Sequence, residues 1–131
     1  LQTRSVPETT RETVVVTRMG GAGAVRWRRA YATGELRAAS ITALPEGGLA
    51  FGYTERGDRG AEGDGPSRAH VVRLAPDGSV RARRRFGPPE EAAHVSVVAA
   101  RPDGTLIAAG SVGPPDTRYR SQLLVEQYRS E

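Results

Sequence analysis

The sequence contains no cysteine and no lysine, and both absences restrict what the protein can do. Without cysteine there are no disulfides, no thiolate metal ligands and no cysteine nucleophile, and the redox compartment stays open. All 19 basic residues are therefore arginine, and with 15 acidic residues the formal net charge is +4. A surface of this charge attracts anionic partners, but it is not by itself the signature of a nucleic-acid-binding protein.

Long hydrophobic runs are also missing, so no segment is predicted to span a membrane. The 37% hydrophobic and 26% charged content is that of a soluble folded chain. Leu1–Pro7 lack the apolar core of a signal peptide. Because these residues resemble a loop and include no initiator Met, we expect that a leader or preceding repeats were removed.

What the chain does contain is an internal repeat with a period of about 55 residues. Strand-like segments separated by tight turns, recurring at this interval, are typical of blade-type β repeats. The aligned segments are Val16–Val25 with Val71–Val80, Leu44–Leu49 with Arg101–Leu106, and Val71–Leu74 with Val125–Tyr128.

Short alternating or continuous apolar segments, bounded by Gly, Pro and Asp, predict nine antiparallel strands and no helix. Pro followed by Asp-Gly or Gly-Gly, as at Pro76–Gly78, favours tight hairpins because glycine supplies the positive φ. Labelled A to D by their order within a repeat, the strands are C at Thr13–Met19, D at Val25–Tyr31, A at Leu36–Leu44, B at Leu49–Thr54, C at Ala69–Leu74, D at Val80–Phe86, A at His94–Arg101, B at Thr105–Ser111 and C at Gln122–Tyr128.

The segments Ala69–Val80, Arg83–Gly87 and Val95–Gly110 together resemble the bacterial SBBP-type, NHL-like β-propeller repeat. That family places a tryptophan on the strand that here includes Trp27, whereas the later copy has Ala82. The resemblance covers nearly the whole chain. It implies a propeller fold and an exported or cell-surface bacterial protein, and it transfers no catalytic residue.

The predicted fold class is therefore all-β, a single propeller segment over residues 1–131 with about two and a half blades of four-stranded antiparallel sheet. Residues 1–35 supply strands C and D of a first blade, residues 36–87 a complete blade, and residues 88–131 strands A to C of a third. Because propellers close with at least about four blades, we expect the exposed terminal sheets to pack on blades of the same chain or of another copy.

His94 and Arg37 begin the A strands of consecutive repeats and are the first candidate binding residues. At the mouth of a propeller channel they would form an anion-binding pair, and in an enzyme they would act as acid or base and as anion stabiliser. The alternative interpretation is that both are solvent-exposed strand ends. His70, inside a C strand, is interpreted as a packed or half-exposed residue.

Arginines on the two D strands are the second candidates, with Arg83 and Arg85 on the later strand and Arg26, Arg28 and Arg29 near Trp27. Cations beside aromatics suit phosphate contact and base stacking. The alternative is that these charges protect an open sheet edge from aggregation. A third hypothesis, calcium binding by Glu55, Asp58, Glu62 and Asp64, lacks the spacing of an EF-hand loop, and a solvated loop is the alternative.

No nucleophile elbow, P-loop or metal-binding His pair is present, and no cofactor or metal is predicted. These observations favour a non-enzymatic binding or scaffold module that engages a protein or glycan through its B–C loops or axial mouth. The alternatives are a propeller-type lyase or hydrolase using His94 and Arg37, and weak nucleic-acid binding through the D-strand arginines.

Overall fold

A computed structural model describes residues 12–56, 59–60, 63–64, 67–114 and 122–129. Within these ranges the chain is all-β, as predicted, and contains no helix. The strands are β1 Glu12–Met19, β2 Val25–Gly34, β3 Leu36–Ala43, β4 Leu49–Glu55, β5 Arg59–Gly60, β6 Gly63–Asp64, β7 Arg68–Leu74, β8 Val80–Phe86, β9 Ala92–Ala100, β10 Leu106–Gly113 and β11 Gln122–Tyr128.

The main strands form three antiparallel sheets, which follow one another along the chain. The N-terminal hairpin is β1 and β2, the central sheet has the order β3-β4-β7-β8, and the C-terminal sheet has the order β9-β10-β11. The predicted grouping of two, four and three strands is therefore confirmed. A short ribbon of β5 and β6 within the β4–β7 connection was not predicted.

Four near-identical hairpin turns produce this up-and-down pairing. In the turn after β7, the amide of Gly78 donates to the Ala75 carbonyl at 2.9 Å, and the amide of Ala75 donates to the Ser79 carbonyl at 2.8 Å. Gly78 has a φ of 92°, a conformation that glycine adopts without steric cost. Equivalent glycines with positive φ close the other turns: Gly23, Gly47 and Gly104.

The central sheet is covered on both faces, so the described part of the chain has three layers. We call the face of each sheet that points toward the next sheet in sequence its forward face, and the opposite one its back face. All residues of β4 except the first and the last are buried, because successive residues face opposite sides of the sheet and a core covers each side. The core behind the central sheet contains Val14, Val16, Leu36, Phe51, Tyr53, Val72 and Leu74, and the core in front contains Leu44, Ala50, Ala69, Val71, Phe86, Ala93, Val95, Val98, Leu106, Ala108 and Val112.

The two ends of the stack differ in their connections. All four tight turns lie at one end, which we call the turn end. Strand pairing places the start of β3 beside the end of β4, and the start of β9 beside the end of β10. The β4–β7 and β10–β11 connections therefore leave from the opposite end, which we call the loop end.

Candidate functional site

Arg37 and His94 both lie at the loop end, on the first strands of the central and C-terminal sheets. Arg37 pairs with Thr54 and His94 pairs with Ser111, which are equivalent positions in the two sheets. Both side chains are exposed. Neither makes a side-chain hydrogen bond to another described residue, so each is accessible to a ligand from solvent.

The predicted D-strand arginines lie on β8, which is an edge strand of the central sheet. The Arg83 guanidinium donates to the hydroxyl of Tyr53 at 2.8 Å. The Arg85 guanidinium donates to the Pro89 carbonyl at 3.0 Å. Both arginines thus stabilise neighbouring segments of the fold, and Arg85 does so at the loop end.

A polar cluster on the back face of the central sheet was not recognised from the sequence. Tyr53 and His70 face each other across β4 and β7, with their rings stacked 4.9 Å apart. His70 Nε2 lies 3.3 Å from Glu55 Oε1, and Arg83 bonds to the other end of the pair through the Tyr53 hydroxyl. Four side chains therefore form one connected cluster, in which two hydrogen bonds, Glu55 to His70 and Arg83 to Tyr53, are joined by the stacked rings of Tyr53 and His70.

Burial dominates the electrostatics of this cluster. Desolvation lowers the pKa of His70 below its usual range, against the opposing effect of the Glu55 carboxylate, and the arginines at positions 83 and 85 lower it further. Burial also raises the pKa of Tyr53, although Arg83 acts in the opposite direction. Burial therefore favours the uncharged form of His70, and the side chain is half-buried, in agreement with its interpretation as a packed or half-exposed residue. No local sequence signal reveals the cluster, because the pairing of Tyr53 with His70 depends on the register between β4 and β7.

Contacts between consecutive sheets repeat along the stack. Arg18 of the hairpin donates to the carbonyl of Gly47, in the first turn of the central sheet, at 2.7 Å. Arg73 of the central sheet donates to the carbonyl of Gly104, in the first turn of the C-terminal sheet, at 3.0 Å. These pairs occupy equivalent positions in the repeat, so the sequence period corresponds to a repeated packing interaction.

Aromatic residues of β2 secure the hairpin to the central sheet. The indole Nε1–H of Trp27 donates to the Pro76 carbonyl at 2.9 Å, and the Tyr31 hydroxyl donates to the Gly78 carbonyl at 2.6 Å. A Cβ at Gly78 would lie 3.2 Å from the Trp27 ring, so glycine permits this close approach. The tryptophan that contributed to the sequence resemblance is thus an anchor between two sheets.

The hypothesis of calcium binding concerns the β4–β7 connection, where Asp58 and Glu62, together with the side chain of Asp64, lie outside the described residues. Glu55 is described and contacts His70. No group of three or more His, Cys, Asp or Glu residues with metal-binding geometry occurs in the described ranges. The same part of the chain contains no helix that is long and apolar enough to cross a membrane.

Comparison with models of known protein families finds no match to this chain, and comparison with curated proteins finds no significant similarity.

Proposed function

We propose that the three sheets are consecutive blades of a β-propeller and that the chain is a non-enzymatic binding module. Its loop end engages a protein or glycan partner. This proposal accounts for the repeat, for the layered packing and for the edge positions of β3 and β9 in their sheets. Among the described strands, β3 and β9 contact each other, as neighbouring A strands around a propeller axis do.

Two hydroxyl-mediated contacts support the interpretation of these sheets as blades. The amide of Val98 on β9 donates to Ser40 Oγ on β3 at 2.7 Å. The amide of Val95 donates to Thr54 Oγ1 on β4 at 3.1 Å. Backbone groups of one sheet are therefore satisfied by side chains of the sheet before it, which requires the faces to pack closely.

The observation that carries the binding proposal is the difference between the two ends of the stack. The turn end is made of four short, tightly hydrogen-bonded hairpins. The loop end has the long connections and a set of charged and ring-bearing side chains that offers both donors and acceptors. Binding residues are disproportionately placed on loops that a rigid scaffold positions. The loop-end residues are Arg37, Glu55, Arg68, His70, Arg85 and His94.

The proposal is tested by screening the chain against immobilised oligosaccharides and a displayed peptide library, followed by titration with the ligand that binds. We expect Arg37→Ala and His94→Ala to weaken binding by about tenfold or more, as loss of a charged hydrogen bond does. Arg26→Ala is the matched control, because Arg26 is exposed at the turn end.

Three outcomes contradict the proposal. The first is the absence of any ligand in both screens. The second is equal loss of affinity in the Arg26 control. The third is turnover of an oligosaccharide that His94→Ala abolishes, which would favour a lyase or hydrolase instead.

A further inference from the structure

A small cleft lies between the forward face of the central sheet and the back face of the C-terminal sheet, near the turn end of the stack. Its apolar lining comes from Val71 and Ala82 of the central sheet and from Leu106 of the C-terminal sheet. The space measures about 300 Å³, part of which is open to solvent. Three cations complete the lining: Arg73, Arg84 and Arg129.

The internal repeat explains why this interface has a cleft. Ala82 corresponds in the repeat to Trp27, and Leu106 corresponds to Leu49. In the interface between the hairpin and the central sheet, Trp27 and Leu49 pack on the same core, and the indole donates to the Pro76 carbonyl at 2.9 Å. The second interface has a methyl group where the first has an indole ring. The cleft therefore lies where the first interface is filled by an aromatic side chain.

The charges around the cleft favour an anion. Arg73 is only 7% exposed, and the one hydrogen bond of its guanidinium to another described residue goes to the Gly104 carbonyl. A guanidinium has several further N–H donors. Within the described ranges, neither Arg73 nor Arg84 forms an ion pair with a carboxylate. Because a buried cation is costly without a counter-charge, this site is suited to a negatively charged ligand.

The polar groups of β11 beside the cleft are already engaged with each other. The Tyr128 hydroxyl donates to Glu126 Oε1 at 2.6 Å, and the Gly87 amide donates to the same oxygen at 3.3 Å. Burial raises the pKa of Tyr128, and the bond to Glu126 raises it further, whereas Arg84 acts in the opposite direction. Tyr128 therefore contributes an uncharged ring to the cleft, and Glu126 is not among the lining residues.

We propose that this cleft binds a small aromatic carboxylate, with its ring over Ala82 and its carboxylate held by Arg73 and Arg84. Apolar walls and an aromatic side chain suit a flat ring, and guanidinium groups match the geometry of a carboxylate. The site lies at the turn end. It therefore depends neither on binding at the loop end nor on the assignment of the sheets as blades.

Isothermal titration calorimetry of the full chain with indole-3-acetate tests the proposal. This probe combines the ring that fills the equivalent place in the first interface with a carboxylate. We expect saturable binding of one ligand per chain. Indole and acetate, titrated separately, should each bind more weakly by about tenfold or more, because each lacks one half of the contacts.

Replacement of Arg84 tests the charge contact. We expect Arg84→Ala to weaken binding of indole-3-acetate by about tenfold, as loss of a charged hydrogen bond does. Arg81→Ala is the matched control and should bind as the wild type does, because Arg81 is exposed on the same strand but on the opposite face of the sheet.

Replacement of Ala82 tests the position of the ring. Ala82→Trp should abolish binding, because it restores the side chain that fills the first interface. Ala82→Ser keeps the cleft open and should retain binding. Circular dichroism and urea unfolding show whether each variant is folded. Should Ala82→Trp fail to fold, Ala82→Leu is the milder filling variant, and it should weaken binding in the same direction.

The proposal is overturned by the absence of saturable binding, by acetate or indole binding as tightly as indole-3-acetate, or by equal affinities of Arg84→Ala and Arg81→Ala. A folded Ala82→Trp or Ala82→Leu variant with wild-type affinity would also overturn it, because the ligand would then lie elsewhere. None of these results affects the proposed function of Arg37 and His94, which lie at the other end of the stack.

Discussion

Arg73 and Gly104 lie 3.0 Å apart, guanidinium to carbonyl oxygen, although they belong to different sheets and are 31 residues apart in sequence. Arg73 is a buried arginine, with an exposed fraction of 7%. A buried charged donor of this kind must be hydrogen-bonded, because leaving it unpaired costs several kcal/mol. The bond therefore fixes how the C-terminal sheet sits on the central sheet.

Removal of this bond should destabilise the fold. We expect Arg73→Met to lower the free energy of unfolding by about 2 kcal/mol, because the Gly104 carbonyl loses its charged donor. Urea unfolding followed by circular dichroism gives the value. Arg81→Met is the matched control, since Arg81 is exposed on the neighbouring strand. Equal stability of the two variants would show that the bond contributes nothing.

Two glycines, Gly110 buried on a strand and Gly21 exposed in a turn, provide a second, steric test. A Cβ at Gly110 on β10 would collide with the carbonyl oxygen of His94, a backbone atom that cannot move away cheaply. A Cβ at Gly21 would meet nothing within 4 Å. We expect Gly110→Ala to cost about 3 kcal/mol, as severe overpacking does. Gly21→Ala should stay within about 0.5 kcal/mol of the wild type.

Denaturant midpoints of the two glycine variants measure this difference. Near-native stability of Gly110→Ala would mean that β9 and β10 can separate locally without loss of the sheet. That outcome would contradict the close approach of Gly110 to the His94 carbonyl, which lies beside the pair Gly110 and Val95.

The pH dependence of stability follows from His70. Burial holds its pKa in the folded state below the usual value of 6.5, so the unfolded chain binds a proton more readily than the folded chain does. The free energy of unfolding should therefore decrease as the pH falls through and below 6.5. Above that range the His70 contribution to the free energy of unfolding should not change with pH. Urea unfolding at a series of pH values measures the slope.

His70→Gln should reduce this acid-side slope, because glutamine does not titrate. His94→Gln is the matched control, since the His94 side chain is exposed and lies outside the cluster with Glu55. A slope that is unchanged in His70→Gln would exclude His70 as its source. A steeper loss in Glu55→Gln would support the contact, because Glu55 opposes the lowering of the His70 pKa.

Local sequence signals were sufficient to predict the strands and turns. Alternating apolar residues and the Pro-Asp-Gly and Gly-Gly turns predicted nine strands in the order observed, because hairpin geometry depends on a few adjacent residues. The β5–β6 ribbon was missed, since two-residue strands have no periodicity. The edge position of β8 was predicted from its alternating arginines and is confirmed.

The candidate site was only partly predictable. Arg37 and His94 could be placed at equivalent strand starts, and the structure puts them at the same end of the stack. The contacts of Tyr53 with His70 and Arg83 were not foreseen, because they join strands whose register depends on the length of the connection between them. The function of all these residues stays a prediction.

The amino-acid sequence by itself determined that this chain forms antiparallel hairpins in a repeating order, because turn chemistry and period-two patterning act over a few residues. Only the tertiary structure decided which faces of the sheets meet, since that depends on packing between residues far apart in sequence. The burial of Val71 and the exposure of Val125, at equivalent places in the repeat, show the difference. The two valines have the same local pattern, and among the described residues a neighbouring sheet covers only Val71.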